Sequence, residues 1–237
     1  MERISTGILY LCATPIGNLE DITLRALRIL KEVDLIAAED TRVSRKILTH
    51  YQIKTTITSY NQHNRVKKGK YLIDLLQKGT NIALVSDAGM PGVSDPGYDL
   101  ICLAIENKIP IVPIPGPTAI LTALVISGFP TRHFVYEGFL PGSRKNRVKL
   151  LKKLKEEERV MVFFESPHRI LKSLNDILEI LGDRQIAIMR ELTKKFEETV
   201  RGSISEVIAK FNLTPPKGEL TIVLPGIGNR ELGIRNF

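Results

Sequence analysis

Short apolar runs alternate with amphipathic stretches along the first 130 residues. Strand-like runs fall at residues 8–13, 34–38, 57–59, 82–85 and 109–114. Between them lie helical periods. Leu24, Leu27 and Leu30 recur on one helical face behind Asp21 as cap, and another helix runs from the second strand end to about residue 50. A basic helix spans 64–77, with Gly79 placed to cap its C-terminus. Asp95 at N-cap and Pro96 at N1 start a helix that ends near 106, and an apolar helix closes near Ser127. Such βα alternation predicts a parallel sheet with helices on both faces.

Gly128-Phe129-Pro130 breaks that pattern. Beyond it come a strand at 134–139, a helix after Pro141-Gly142, and a buried strand at 159–164. Ser166 as N-cap and Pro167 at N1 start the next helix, and strands at 185–191 and 197–201 follow, the latter antiparallel to a neighbour. Ser203 and Glu206 form a capping box for a helix to Phe211, residues 218–224 make the last strand, and 226–237 read as a loose tail. The expected fold class is α/β in two lobes: residues 1–130 around a parallel sheet, and 131–237 around a mixed one.

Four strand ends carry unusual loops: Thr14-Pro15-Ile16-Gly17-Asn18, Glu39-Asp40-Thr41-Arg42, the stretch 86–97 (SDAGMPGVSDPG), and 113–119 (PIPGPTA). The third holds three glycines, two prolines and two aspartates within eleven residues, far more than a plain βα turn needs. In a parallel sheet all four emerge at the same edge, where ligands bind. No G-x-G-x-x-G and no P-loop motif occurs. The prolines also remove N–H donors that a phosphate cradle would use. The pocket suits a ligand without phosphate, met by carboxylates.

Composition adds a direction. The 237-residue chain has a net charge of +8, and residues 131–237 hold 20 basic against 14 acidic side chains. Seven basic residues and no acidic one lie between Pro141 and Lys155. A one-sided basic surface points to a polyanion such as RNA. Arg42, Arg45, His63, Arg65, Lys67 and Lys68 from the first lobe, with Arg144, Lys145, Arg147 and Lys149 from the second, form the candidate RNA face. Cys12 and Cys102 sit in apolar patterns as reduced core residues, and the scattered histidines and cysteines argue against a metal site. No signal peptide and no membrane-length apolar run is present, which leads to the expectation of a cytoplasmic protein.

These motifs resemble the tetrapyrrole methylase superfamily of S-adenosylmethionine-dependent methyltransferases. The likeness runs from LYLCATPIGNLEDIT through EDTR, SDAGMPGVSDPG, PIPGPTA and EGFLP to FFESPHRI, MREL and GELTIVL. EDTR, SDAGMPGVSDPG and ESPHRI separate its RNA-modifying branch from the porphyrin-modifying one, where the third loop usually reads G-D-P rather than Gly89-Met90-Pro91. Some members of that branch continue into an extra C-terminal domain not expected here. The resemblance implies a homodimer that binds S-adenosylmethionine between its lobes and methylates the ribose 2′-oxygen of a decoding-centre cytidine of 16S rRNA in the 30S subunit. It assigns cofactor contacts to Pro15 and Ile16, to Asp87, Ala88, Gly89, Met90, Pro91 and Val93, to Thr118 and Ala119, and to Phe164, Gly218 and Glu219.

Methylation of a ribose oxygen needs alignment and modest proton removal. Asp40 and Glu165 are the candidate bases, with His168 and Glu191 behind them. The competing reading is that Glu165 and Glu191 are tied up in ion pairs with Arg169 and Arg190. Two rival functions remain at this level. A corrinoid or porphyrin methyltransferase would share the fold without needing the basic run, and a non-catalytic RNA-binding module would not need four convergent loops.

Overall fold

The computed structural model describes residues 6–227. Its residues divide into two compact units, Met1–Thr118 and Ala119–Phe237. The division precedes the sequence-based boundary at 130 because the apolar helix after the fourth loop packs on a strand of the second unit.

The first unit is built on β1 (Leu9–Cys12), β2 (Leu35–Ala38), β3 (Thr56–Ser59), β4 (Ile82–Val85) and β5 (Ile111–Ile114), in the order β3-β2-β4-β1-β5. Every pairing is parallel. Alternation along the strands divides the core. Cys12, Ile36, Ala38, Ala83, Val85 and Ile114 meet α1 (Leu24–Glu32) and α2 (Thr41–His50). Leu9, Leu11, Ala37, Ile82 and Leu84 meet α3 (Arg65–Gln77) and α4 (Gly97–Glu106). All four residues of β4 are buried, as a central parallel strand requires.

Local chemistry moved some helix starts. Asp21 lies in a 3-10 turn, Leu19–Asp21, and it is Thr23 whose hydroxyl accepts the Ala26 N–H and caps α1. The buried face of α1 is Ala26, Ile29 and Leu30, which leaves Leu24 exposed. Pro96 precedes α4 as its N-cap residue, yet Asp95 still accepts the Gly97 N–H at 2.7 Å. Cys12 is buried, but Cys102 is only half-buried on α4.

The second unit opens with α5 (Ala119–Ile126) and a sheet of β6 (Phe134–Phe139), β7 (Val160–Glu165), β10 (Leu220–Leu224), β8 (Gln185–Arg190) and β9 (Glu198–Ser203), in that spatial order. β6 and β7 are parallel and the other pairs antiparallel, so the sheet is mixed as expected. One face packs on α6 (Arg144–Lys153), α7 (Ile170–Leu181) and α8 (Ile204–Leu213). On the other, α5 packs against β10. Ser203 and Glu206 form the expected capping box. Ser166-Pro167 instead form a turn, with α7 starting at Ile170. Most of the 226–237 tail lies outside the described residues.

Candidate cofactor site

The loops that follow β1, β2, β4 and β5 are stitched together at the carboxyl edge of the first sheet. Thr14 and Gly89 exchange backbone hydrogen bonds of 2.9 and 3.0 Å, fastening the first loop to the third. The Thr14 hydroxyl donates to the Ser86 carbonyl at 3.1 Å, and the Ser86 hydroxyl donates to the carbonyls of Ala88 and Gly89. Asp87 accepts the Asp40 N–H at 2.9 Å, and the Asp87 N–H points to Glu39 Oε2 at 3.4 Å, which links the second loop to the third. The third loop is also braced internally, because Asp95 accepts the N–H groups of Gly92 and Gly97.

Gly89 takes φ of +77°, a conformation that favours glycine. A Cβ there would lie 3.5 Å from Ile16 Cγ2 and 3.6 Å from the Pro117 carbonyl, so the missing side chain leaves a cradle bounded by the first, third and fourth loops. At Gly116 a Cβ would come within 2.9 Å of the Ala13 Cβ, which explains the glycine between two prolines.

The expected contacts divide by environment. Pro15, Ile16, Gly89 and Pro91 are buried, Asp87 is half-buried, and Ala88 and Val93 are exposed. The Met90 side chain packs with the core beneath α3 and α4. Thr118, the last residue of the first unit, is half-buried. Ala119, Phe164 and Gly218 are half-buried in the second unit, and Glu219 is exposed. At Gly218, φ is +88° and a Cβ would overlap the Glu191 carboxyl carbon at 2.3 Å.

Charge in the first-unit cradle is negative. Burial, then the neighbouring Asp87, Asp95 and Asp40, push the Glu39 carboxyl above the ordinary range, and burial does the same to Asp87. Glu39, beside Asp40 in the second loop, was not among the candidate bases read from the sequence. Asp40 in fact caps α2 and is clamped by Arg42, with Nη2 at 2.6 Å, which holds it down at about 2.

Glu165 is equally committed. Its side chain is fully buried, paired with Arg169 at 2.6 Å, accepting the Ser166 N–H at 2.7 Å and the Ser173 hydroxyl. The expected Glu165–Arg169 pair is therefore present. Glu191 departs from expectation, since it pairs with Lys194 and accepts the Glu219 N–H, while Arg190 pairs with Glu198. His168 is exposed.

A cradle lined by prolines, apolar side chains and carboxylates suits a cationic ligand without phosphate. The chain matches the tetrapyrrole (corrin/porphyrin) methylase family over residues 8–208. It belongs to that family. Methylases of this family take their methyl group from S-adenosylmethionine. The chain is 52% identical over 220 residues to ribosomal RNA small subunit methyltransferase I of Thermotoga maritima, covering 93% of this chain and 99% of that protein. It is 50% identical over 229 residues to the protein of the same name from Halalkalibacterium halodurans, covering 97% and 79%. In fold it resembles uroporphyrin-III-C-methyltransferase from Thermus thermophilus, with a TM-score of 0.66 at 19% identity over 98% of this chain and all of that one. A cobalt precorrin-4 methyltransferase gives 0.68 at 15% identity, over 95% and 97%. Among the described residues no helix is long and apolar enough to cross a membrane, and no cluster of His, Cys, Asp and Glu could hold a metal.

The candidate RNA residues separate in the same way. Arg147 is buried at 3% exposure, paired with Asp176 at 2.6 Å and donating to the carbonyls of Pro141 and Gly142. It anchors α6 on α7 and is withdrawn from the surface. Arg144 shares Asp176 and also reaches Glu179, Arg65 pairs with Asp99, and Lys68 sits over the Tyr71 ring at 4.5 Å. Arg42 is spent on Asp40. Arg45, His63, Lys67, Lys145 and Lys149 are exposed and make no ion pair among the described residues.

Proposed function

We propose that this protein transfers a methyl group from S-adenosylmethionine to the ribose 2′-oxygen of a decoding-centre cytidine in 16S rRNA, with the 30S subunit as substrate and as a homodimer in the cytoplasm. The observation that carries the reading is about 50% identity, over nearly the whole chain, to proteins named ribosomal RNA small subunit methyltransferase I. The likeness to corrinoid and porphyrin enzymes falls below 20% identity and supports the fold alone.

When bound, S-adenosylmethionine supplies an electrophilic methyl group, and the accepting hydroxyl gives up a proton as the new C–O bond forms. The chain's own residues align and neutralise. Pro15, Ile16 and the Gly89 backbone would hold the cofactor, and Thr118 with Ala119 extends that set. Glu39, Asp87 and Asp95 crowd negative charge that a sulfonium relieves. A carboxyl held above its ordinary range is a better proton acceptor than one at about 2, so Glu39 replaces Asp40 as the candidate base of the first unit. Exposed Lys145, Lys149, Lys67 and Arg45 would neutralise phosphates without reading sequence. The test is labelled cofactor offered to hypomethylated 30S particles and to a precorrin. Label in the RNA alone supports the reading, whereas label in the precorrin alone overturns it.

A further inference from the structure

An aromatic cluster at the edge of the second sheet has no part in its core. β6 is an edge strand, and its register against β7 slips by one residue. Tyr136 pairs with Val162 and Phe139 with Phe164, so three steps on β6 match two on β7. That is a β-bulge, and Gly138 within it has φ of +71°. Without the extra residue, strict alternation would put Tyr136 and Phe139 on opposite faces. With it, both rings meet Phe164. The Tyr136 ring lies 5.2 Å from it, inclined at 65°, and the Phe139 ring 5.5 Å away at 63°.

Phe163, the neighbour of Phe164, enters the core with α6, α7 and α8, so the three rings occupy the sheet's other side. Phe139 remains 56% exposed. Burial therefore gives no account of the bulge, which turns a large aromatic outward onto a second ring that holds it in place. A ring held against a second ring, with one face open, is the chemistry on which a nucleobase stacks.

We infer that the Tyr136–Phe139–Phe164 cluster is a stacking platform for the base of the acceptor nucleotide, with Phe139 in direct contact and Phe164 and Tyr136 as positioning residues. The inference rests on the proposed RNA substrate. A ribose hydroxyl inside a helix is held by its stacked base, and an extruded base needs a surface to replace that stacking. Phe139 provides it without choosing among bases, since every base offers a π-face.

The experiment compares Phe139→Ala, Phe139→Leu and Phe139→Trp with the parent on hypomethylated 30S particles, alongside calorimetric titration of S-adenosylmethionine. Phe139 is exposed, so all three should fold, which far-ultraviolet circular dichroism checks. The expected result is kcat/KM lowered roughly ten- to a hundredfold by Ala and Leu alike, retained by Trp, with cofactor affinity unchanged. Parental rates for Ala and Leu would overturn the platform while leaving the proposed function standing. Loss of cofactor affinity would assign the ring to the cofactor instead, and a Leu variant as active as the parent would reduce it to a generic apolar contact. A parent protein that leaves the 30S particle unmethylated would overturn the functional reading itself, and the platform with it.

Discussion

At Glu39 a carboxyl group sits half-buried, with Asp87, Asp95 and Asp40 acting on it electrostatically. Its pKa is raised on folding, first by burial and then by Asp87. The folded state therefore binds that proton more tightly than the unfolded chain does. Stability from this group is greatest at low pH and is lost as pH rises through the raised value. Glu39→Gln should accordingly raise the melting temperature at neutral pH, with the gain fading below pH 4; a pH series of thermal melts checks this. A gain independent of pH would show that charge crowding is not its cause. Gly89 makes a second residue-scale case. Its φ of +77° is strained for any L side chain, while the space around a Cβ is of ordinary van der Waals width. Gly89→Ala should cost about 1–2 kcal/mol in chemical denaturation. Gly89→Val fills the cradle further and should abolish S-adenosylmethionine binding in a protein that still folds, as titration calorimetry would read.

The helix α6 shows what a run of like residues conceals. Arg144, Lys145, Arg147 and Lys149 are indistinguishable by composition, yet Arg147 is the buried partner of Asp176 and Lys149 faces water. Arg147→Ala should cost about 3–5 kcal/mol because it strands a buried carboxylate. Lys149→Ala should stay within about 0.5 kcal/mol; denaturant titration of both separates them. Lys145→Ala with Lys149→Ala should instead flatten the salt dependence of RNA binding, by about 0.7–0.9 per lost phosphate contact. The strands of both sheets were legible in the sequence because apolar runs of strand length between Gly, Pro and Asx residues admit few other readings. Side-chain pairing was not. Met161 and Phe163 alternate into the core, so Glu165 at the same parity turns toward Ser173 of α7, but the unbroken apolar run of β7 hides that period. The bulge at Gly138 was also invisible, since an extra residue leaves composition unchanged.

For the whole molecule, the element order and the motif-bearing loops placed the chain in its family, and the matching positions run from residue 8 to residue 208. The convergence of the first-unit loops was readable because a parallel sheet brings every such loop to one edge. How they are stitched was not, since the side chains of Thr14, Ser86 and Glu39 bond to backbone groups of other loops or of their own, which no motif spells out. The central claim is the reaction: methyl transfer to a ribose oxygen of ribosomal RNA. It is tested most directly by incubating hypomethylated 30S subunits with the protein and labelled S-adenosylmethionine, digesting the RNA to nucleosides and separating them. The label should appear in 2′-O-methylcytidine. Label in N4- or C5-methylcytidine, or none in the RNA at all, would contradict the account.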